Sequence, residues 1–186
     1  MDGRHRYVIA LGSNVRHHRF GAPAHVLRAA LETLEDEGVA VLATAPTIST
    51  APLGPSRRRY ANGAAVIETA LEPEDLLALL KEIEAGFGRR PGGQRWASRV
   101  LDLDIVLWDG GAYAGEGLTI PHPRARERVF VLRPAAAIAP AWRDPLTGRT
   151  LRQLLARLTA PRPLPREPRR TRNSGALSSV GRATDF

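Results

Sequence analysis

Apolar positions along the chain follow two periods. Strand-length apolar stretches fill residues 6–11 (Tyr7, Val8, Ile9, Ala10, Leu11), 39–50, 60–69 and 100–108. Between them two segments carry the helical period. Residues 23–35 set Val26, Leu27, Ala30, Leu31 and Leu34 on one face behind a first-turn proline, and Gly38 ends the run. Residues 73–87 do the same with Leu76, Leu79, Leu80, Ile83 and Phe87, and Glu74 and Asp75 suit the positive end of the helix dipole. Gly12-Ser13-Asn14 reads as turn chemistry that stops the first strand. The order strand, helix, strand, strand, helix, strand is the split βαβ pattern. It predicts an α+β, ferredoxin-like fold: an antiparallel four-stranded sheet with helices on one face and the long substrate loops on the other.

After Trp108 the pattern predicts a Gly-rich turn over 109–117 and an extended, Pro-bounded segment over 118–123. A short helical turn over 124–127 and an apolar helix over 129–139 follow. A hairpin-like turn over 144–148 leads to a last short helix over 150–158. From Thr159 the pattern stops. Prolines at 161, 163, 165 and 168 with scattered arginines cannot build a core, so residues 1–160 form the expected domain and 161–186 a disordered basic tail. Ser178 to Ala183 fit a reading frame run through the D-arm of a transfer RNA gene, which makes that tail an expected accident of where the frame ends.

Composition narrows the classes. The chain has 186 residues, 43% apolar and 25% charged, which suits one globular domain. With no cysteine, disulfides, thiolate metal sites and cysteine nucleophiles are excluded. No apolar run reaches the length of a membrane span, and the N-terminus lacks a signal-peptide core, so the cytoplasm is the expected compartment. The net charge of +8 suggests nucleic acid, but six arginines against Glu167 and Asp185 place half of it in the tail. Two of the body's basic loops, Arg57-Arg58-Arg59 and Arg89-Arg90, suit an anionic small substrate as well.

The stretch from Arg95 to Trp108 carries the most chemistry. Arg95, Trp96 and Arg99 lie in its loop half, and Asp102 and Asp104 are the only polar residues of the strand half. Two apart on a strand, both carboxylates project from one face, with Leu101, Leu103 and Ile105 directed into the core. Paired carboxylates repel unless a cation joins them, and oxygen ligands of this kind suit Mg²⁺ with substrate phosphates. Arginines offer forked donors to phosphate oxygens. The alternative is a solvated acidic face beside a basic loop.

Other candidates are weaker alone. Tyr60 and Asn62 share a strand face that could hold a flat heterocycle, or Tyr60 simply packs at a strand start. His122 could donate to a phosphate or be structural. His17 and His18 lack a third ligand nearby for a metal site.

Taken together, the motifs resemble the 6-hydroxymethyl-7,8-dihydropterin pyrophosphokinase family of folate biosynthesis. They are Leu11-Gly12-Ser13-Asn14, the run from Thr50 to Pro55, Tyr60-Ala61-Asn62, the run from Ile83 to Arg89, the run from Arg95 to Ile105, and Leu118-Thr119-Ile120-Pro121-His122. The resemblance implies transfer of pyrophosphate from ATP, the co-substrate, to the pterin hydroxymethyl group with release of AMP. It implies two Mg²⁺ held by Asp102 and Asp104, with Arg89 and Arg99 stabilising charge on the moving phosphoryl groups. Tyr60 and Phe130 would sandwich the pterin, with Thr50, Leu53, Asn62 and Trp96 around it. Glu84, Trp96, Arg99, Ile105, Thr119, His122 and Arg128 would lie around ATP. Three positions depart from the family pattern: Ala97-Ser98 replaces Gly-Pro, Pro91 takes the place of a second loop arginine with Arg90 beside it, and Pro123 follows the histidine in place of tyrosine. Partners are expected to be these small molecules, with no specific nucleic acid and no membrane, on a monomer or weak dimer. Two other functions fit the same pattern: an RNA binder using the open sheet face, and another Mg²⁺-dependent phosphotransferase or hydrolase using the same carboxylates.

Overall fold

Two long strands set the frame of the molecule, seen here in a computed structural model that describes residues 3–51, 58–88 and 100–161. Strand β1 (His5–Ser13) pairs antiparallel with β4 (Tyr60–Thr69) along its whole length, from His5 opposite Thr69 to Ser13 opposite Ala61. On its other side β1 pairs with β5 (Asp102–Trp108), again antiparallel. The opposite side of β4 takes two short strands in succession. Strand β2 (Ala40–Thr44) lies against the end of β4 near Glu68, and β3 (Ile48–Thr50) lies against its start, with Thr50 opposite Tyr60. Since β1 occupies one edge of β4 throughout, β2 and β3 share the other. The sheet therefore has five strands but is four wide, in the order β2-β4-β1-β5.

Two expectations change here. The strand expected over 39–50 is broken at 45–47, where the chain passes from β2 to β3. The first strand does not stop at Gly12. Gly12 and Ser13 pair with Asn62 and Ala61, because a full set of ladder hydrogen bonds to β4 outweighs the local preference of Gly-Ser for a turn.

Helices α1 (Pro23–Asp36) and α2 (Pro73–Gly86) cover one sheet face, as the split βαβ pattern predicts. Val26, Leu27, Ala30 and Leu34 of α1 and Leu76, Leu80 and Ile83 of α2 pack on Tyr7, Ile9, Leu11, Ala65, Ile67, Leu103 and Ile105 of the sheet. The other face is not left wholly to loops. After β5, a hairpin of β6 (Tyr113–Gly115) and β7 (Leu118–Ile120) replaces the simple turn expected over 109–117. A 3-10 turn (Ala125–Glu127) then leads into α3 (Val129–Ile138) and α4 (Leu151–Thr159). Val131, Leu132 and Ala135 of α3 and Leu151 and Leu154 of α4 form a second core with Val8, Ala10, Ala64, Val66, Val106 and Leu107. A bulge helps: Val8 faces Leu107 while Ile9 faces Ile105, so Val106 is an extra residue. Both Val106 and Leu107 thereby join the second core, while Asp102 and Asp104 keep their common face further along. Thr150 begins α4 with a capping box closed by Gln153. Among the described residues no helix is long and apolar enough to cross a membrane.

Leu53, Arg89, Arg90, Pro91, Arg95, Trp96, Ala97, Ser98 and Arg99, and the tail from residue 162, lie outside the described residues.

Candidate active site

The uncovered end of the second sheet face is a row of residues set level with one another. Gly12 of β1 pairs with Asn62 of β4 on one side and Asp102 of β5 on the other, and Ile48 of β3 faces Asn62 in turn. Two residues along, Ala10 pairs with Ala64 and with Asp104. Residues two apart share a face, so Asn62, Asp102 and Asp104 rise from the same side over a low floor of Gly12, Ala10 and Ala64. A Cβ added to Gly12 would lie 3.7 Å from Asn62 Oδ1 and 3.9 Å from the Asp102 Cβ. With strands about 4.8 Å apart, Asn62 and Asp102 stand roughly 10 Å apart across this floor.

The β4 border gathers an amide, a hydroxyl and a ring. Asn62 is 5% exposed, and its Nδ2 donates to Thr50 Oγ1 at 2.8 Å. Tyr60 sits opposite Thr50 and is half-buried. Arg59 ties the same strand pair together by donating from Nε to Ser49 Oγ at 2.9 Å.

On the β5 border the carboxylates lie in the field of His122, Lys81 and Arg128. Burial and the neighbouring Asp102 carboxylate push the Asp104 carboxyl above the usual range, against the opposing pull of His122, Lys81 and Arg128. His122 arrives because its backbone N–H donates to Val106 O at 3.1 Å, docking the segment after β7 on the free edge of β5. Its Nδ1 accepts from the Arg124 N–H at 3.2 Å, which assigns the proton of the neutral ring to Nε2. Arg128 stands at the start of α3, where its carbonyl accepts the N–H groups of Val131 and Leu132. Its guanidinium carbon lies 5.7 Å from the centroid of the Phe130 ring.

Three more residues that the resemblance implies around ATP lie on α2, β5 and β7. Glu84 is fully buried on α2, where Oε1 accepts the Leu103 N–H at 2.7 Å and Oε2 accepts from Lys81 Nζ at 3.0 Å. Its carboxylate thus grips β5 at the residue between the two aspartates. The side chain of Ile105 is 2% exposed and packs in the core on the α1–α2 side, away from the carboxylates. Thr119 is exposed on β7. Thr50, Tyr60 and Asn62 come together at one border, and Asp102, Asp104, His122 and Arg128 at the other, with Phe130 beside Arg128 at the start of α3. His17, weighed above as a metal ligand, instead accepts the N–H groups of Arg19 and Phe20 on Nδ1 and stacks on Phe20, 4.8 Å between centroids. Among the described residues no group of three or more His, Cys, Asp or Glu could hold a metal unaided.

Gly12 and Lys81 are the site residues that the sequence analysis missed. Gly12 carried turn chemistry, and only its pairing on both sides shows it as the floor of the site. Lys81 did leave a signal, since it lies three residues before Glu84 on one helix face.

Comparison with known proteins identifies the family and the fold. The family model described as 7,8-dihydro-6-hydroxymethylpterin-pyrophosphokinase (HPPK) matches residues 8–140. A 2-amino-4-hydroxy-6-hydroxymethyldihydropteridine pyrophosphokinase of Methylorubrum extorquens is 37% identical over 82% of this chain and 93% of its own. One of Pseudomonas aeruginosa is 39% identical over 81% of this chain and 90% of its own. Among solved structures, the HPPK-DHPS protein of Plasmodium falciparum with pteroate matches with a TM-score of 0.63 at 12% identity, over 83% of this chain. This chain spans 42% of that longer protein, and at such identity the likeness concerns the fold. The chain belongs to the 7,8-dihydro-6-hydroxymethylpterin-pyrophosphokinase family, and it is a pyrophosphokinase of folate biosynthesis.

Proposed function

We propose that this pyrophosphokinase transfers the terminal pyrophosphoryl group of ATP to the hydroxymethyl oxygen of 6-hydroxymethyl-7,8-dihydropterin. The new bond joins that oxygen to the β-phosphorus. The bond that breaks is the one from the β-phosphorus to the oxygen bridging to the α-phosphorus, so AMP leaves and the hydroxyl proton is lost. The observation that carries the reading is the level row Asn62–Gly12–Asp102, which sets a heterocycle-binding border and a phosphate-binding border on opposite sides of a flat floor.

The donor set fits Mg²⁺. Two carboxylates on one strand face, one of them pushed up by burial and by its neighbour, call for a hard cation between them. Mg²⁺ takes one or two carboxylates and completes its shell with phosphate oxygens and water. Asp102 and Asp104 would hold two such ions, which, when bound, neutralise charge developing on the transferred phosphates. The protein's own groups do the positioning. Asn62 and Thr50 read the pterin edge, and Tyr60 and Phe130 hold its faces. His122, with its proton on Nε2, and Arg128 donate to phosphate oxygens beside the carboxylates. As the resemblance implies, Arg89 and Arg99 would add charge on the transferred phosphates, and Trp96 would serve both substrates. Leu53 would complete the pterin border, and Thr119 and the backbone at Ile105 the nucleotide border. Glu84 acts through β5 by fixing the strand between the two aspartates. The second core under α3 and α4 occupies the part of the face that an RNA-binding sheet would leave open, which disfavours that alternative.

The test is AMP formation from ATP and Mg²⁺ with and without the pterin. Pterin-dependent AMP is the expected result, and pterin-independent breakdown of ATP would point to a hydrolase instead.

A further inference from the structure

The segment from His122 to Arg128 has no strand or α-helix of its own. It advances by consecutive short turns: Ala125 N–H to His122 O at 3.0 Å, Glu127 N–H to Arg124 O at 3.2 Å, and Arg128 N–H to Ala125 O at 3.3 Å. Such turns have poorer hydrogen-bond geometry than an α-helix and hold their shape only with outside support. One end is moored by the His122 N–H on Val106 O, the other by the first turn of α3, whose Val131, Leu132 and Ala135 sit in the second core. Between the moorings stands Arg126.

Arg126 donates from Nε to Asp144 Oδ2 and from Nη2 to Asp144 Oδ1, the latter at 3.0 Å. Asp144 is 1% exposed. It lies in the turn before α4, where Oδ1 also accepts the N–H groups of Leu146 at 2.8 Å and Thr147 at 3.1 Å. Closing that turn needs one acceptor oxygen, and an asparagine would supply it. A buried charge with a forked arginine on it is more than the turn requires, and burying a carboxylate is costly without such a partner. The second oxygen serves the Arg126 side, eighteen residues earlier and two before Arg128.

We infer that the Arg126–Asp144 clasp is a positioning device for the nucleotide border of the site, fixing the turn that sets His122 and Arg128 beside Asp104. The inference rests on the proposed reaction, in which those two residues contact the ATP phosphates. Thr50, Tyr60 and Asn62 are held by the pairing of β3 with β4, so that part of the pterin border is independent of the clasp. Loss of the clasp therefore weakens ATP selectively, whereas general loosening of the fold would weaken both substrates.

The variant Asp144→Asn keeps an acceptor for Leu146 and Thr147 but removes the charge and the second acceptor. The double variant Arg126→Met/Asp144→Asn removes both charges and strands neither. Calorimetric titration with Mg²⁺-ATP and, separately, with the pterin should show ATP affinity down about tenfold in both variants and pterin affinity within about twofold of wild type, since small misplacements of binding groups carry penalties of this order. Circular dichroism should be unchanged, and the KM for ATP should rise more than kcat falls. Unchanged ATP affinity in the folded variants would overturn the inference, and so would equal weakening of both ligands. A wild type that binds neither ligand would instead overturn the proposed reaction, and the inference with it.

Discussion

Asp104 and Asp144 are two aspartates of one chain held in opposite ways. Asp144 is buried, yet its carboxyl lies below the usual range. Burial pushes it up, but the Arg126 hydrogen bonds and charge and the N–H groups of Leu146 and Thr147 outweigh that. Asp104 is pushed up by burial and by Asp102, and His122, Lys81 and Arg128 only partly offset this. The first carboxylate is satisfied within the fold and stabilises it. The second is left wanting positive charge, and that deficit is what a divalent cation would fill. Function sits where the fold leaves electrostatics incomplete.

Removing the paired carboxylates Asp102 and Asp104 should give the largest effect. Asp102→Ala and Asp104→Ala are each expected to lower kcat by about a thousandfold, the equivalent of roughly 4 kcal/mol of transition-state stabilisation, with a folded protein. Near-normal steady-state rates in either would break the contrast. Asp144→Ala should act on stability instead. It removes the partner of Arg126 and the acceptor of two backbone N–H groups, a loss of about 3 kcal/mol measurable by urea unfolding.

Acid should erase the second effect. Because the folded-state pKa of Asp144 is depressed, its stabilisation is complete above the unfolded value of about 3.9 and is lost as pH falls through the folded value. The gap in urea midpoint between wild type and Asp144→Asn should therefore be full at pH 7 and shrink below about pH 4. A constant gap would mean that the charge of Asp144 is not what stabilises the turn.

Asp104→Asn should have the smaller and opposite effect. Relieving repulsion from Asp102 is expected to raise Tm while turnover falls, the exchange of stability for activity common at functional sites. Mg²⁺ alone should raise the Tm of wild type and not of this variant, since a ligand stabilises only a fold that binds it. Cutting the chain after Ala160 touches neither aspartate, and activity and Tm should stay as they are; a marked loss of either would give the tail a role.

Much of this contrast was legible from one side only. Asp102 and Asp104 were identifiable as a same-face pair because a strand has a period of two, and apolar neighbours on both sides fix that period. Arg126 and Asp144 were not, because nothing local marks residues eighteen apart as partners, and Asp144-Pro145-Leu146-Thr147-Gly148 reads as an ordinary turn. Gly12 was misread for a related reason. Its local chemistry favours a turn, and its place between Asn62 and Asp102 is decided by two other strands.

By itself the sequence determined the two helical stripes, the strand bearing both carboxylates, the α+β class and the motifs that resemble the pyrophosphokinase family, because each depends on period or short spacing. The tertiary structure decided that β1 runs on through Ser13, that 39–50 breaks into β2 and β3, and that α3 and α4 close half of the second face. It also decided that Glu84 grips β5 and that Asp144 finds Arg126. Each of these turns on which segments pack side by side, and that is settled by the burial and hydrogen bonding of the whole chain rather than by any stretch of it.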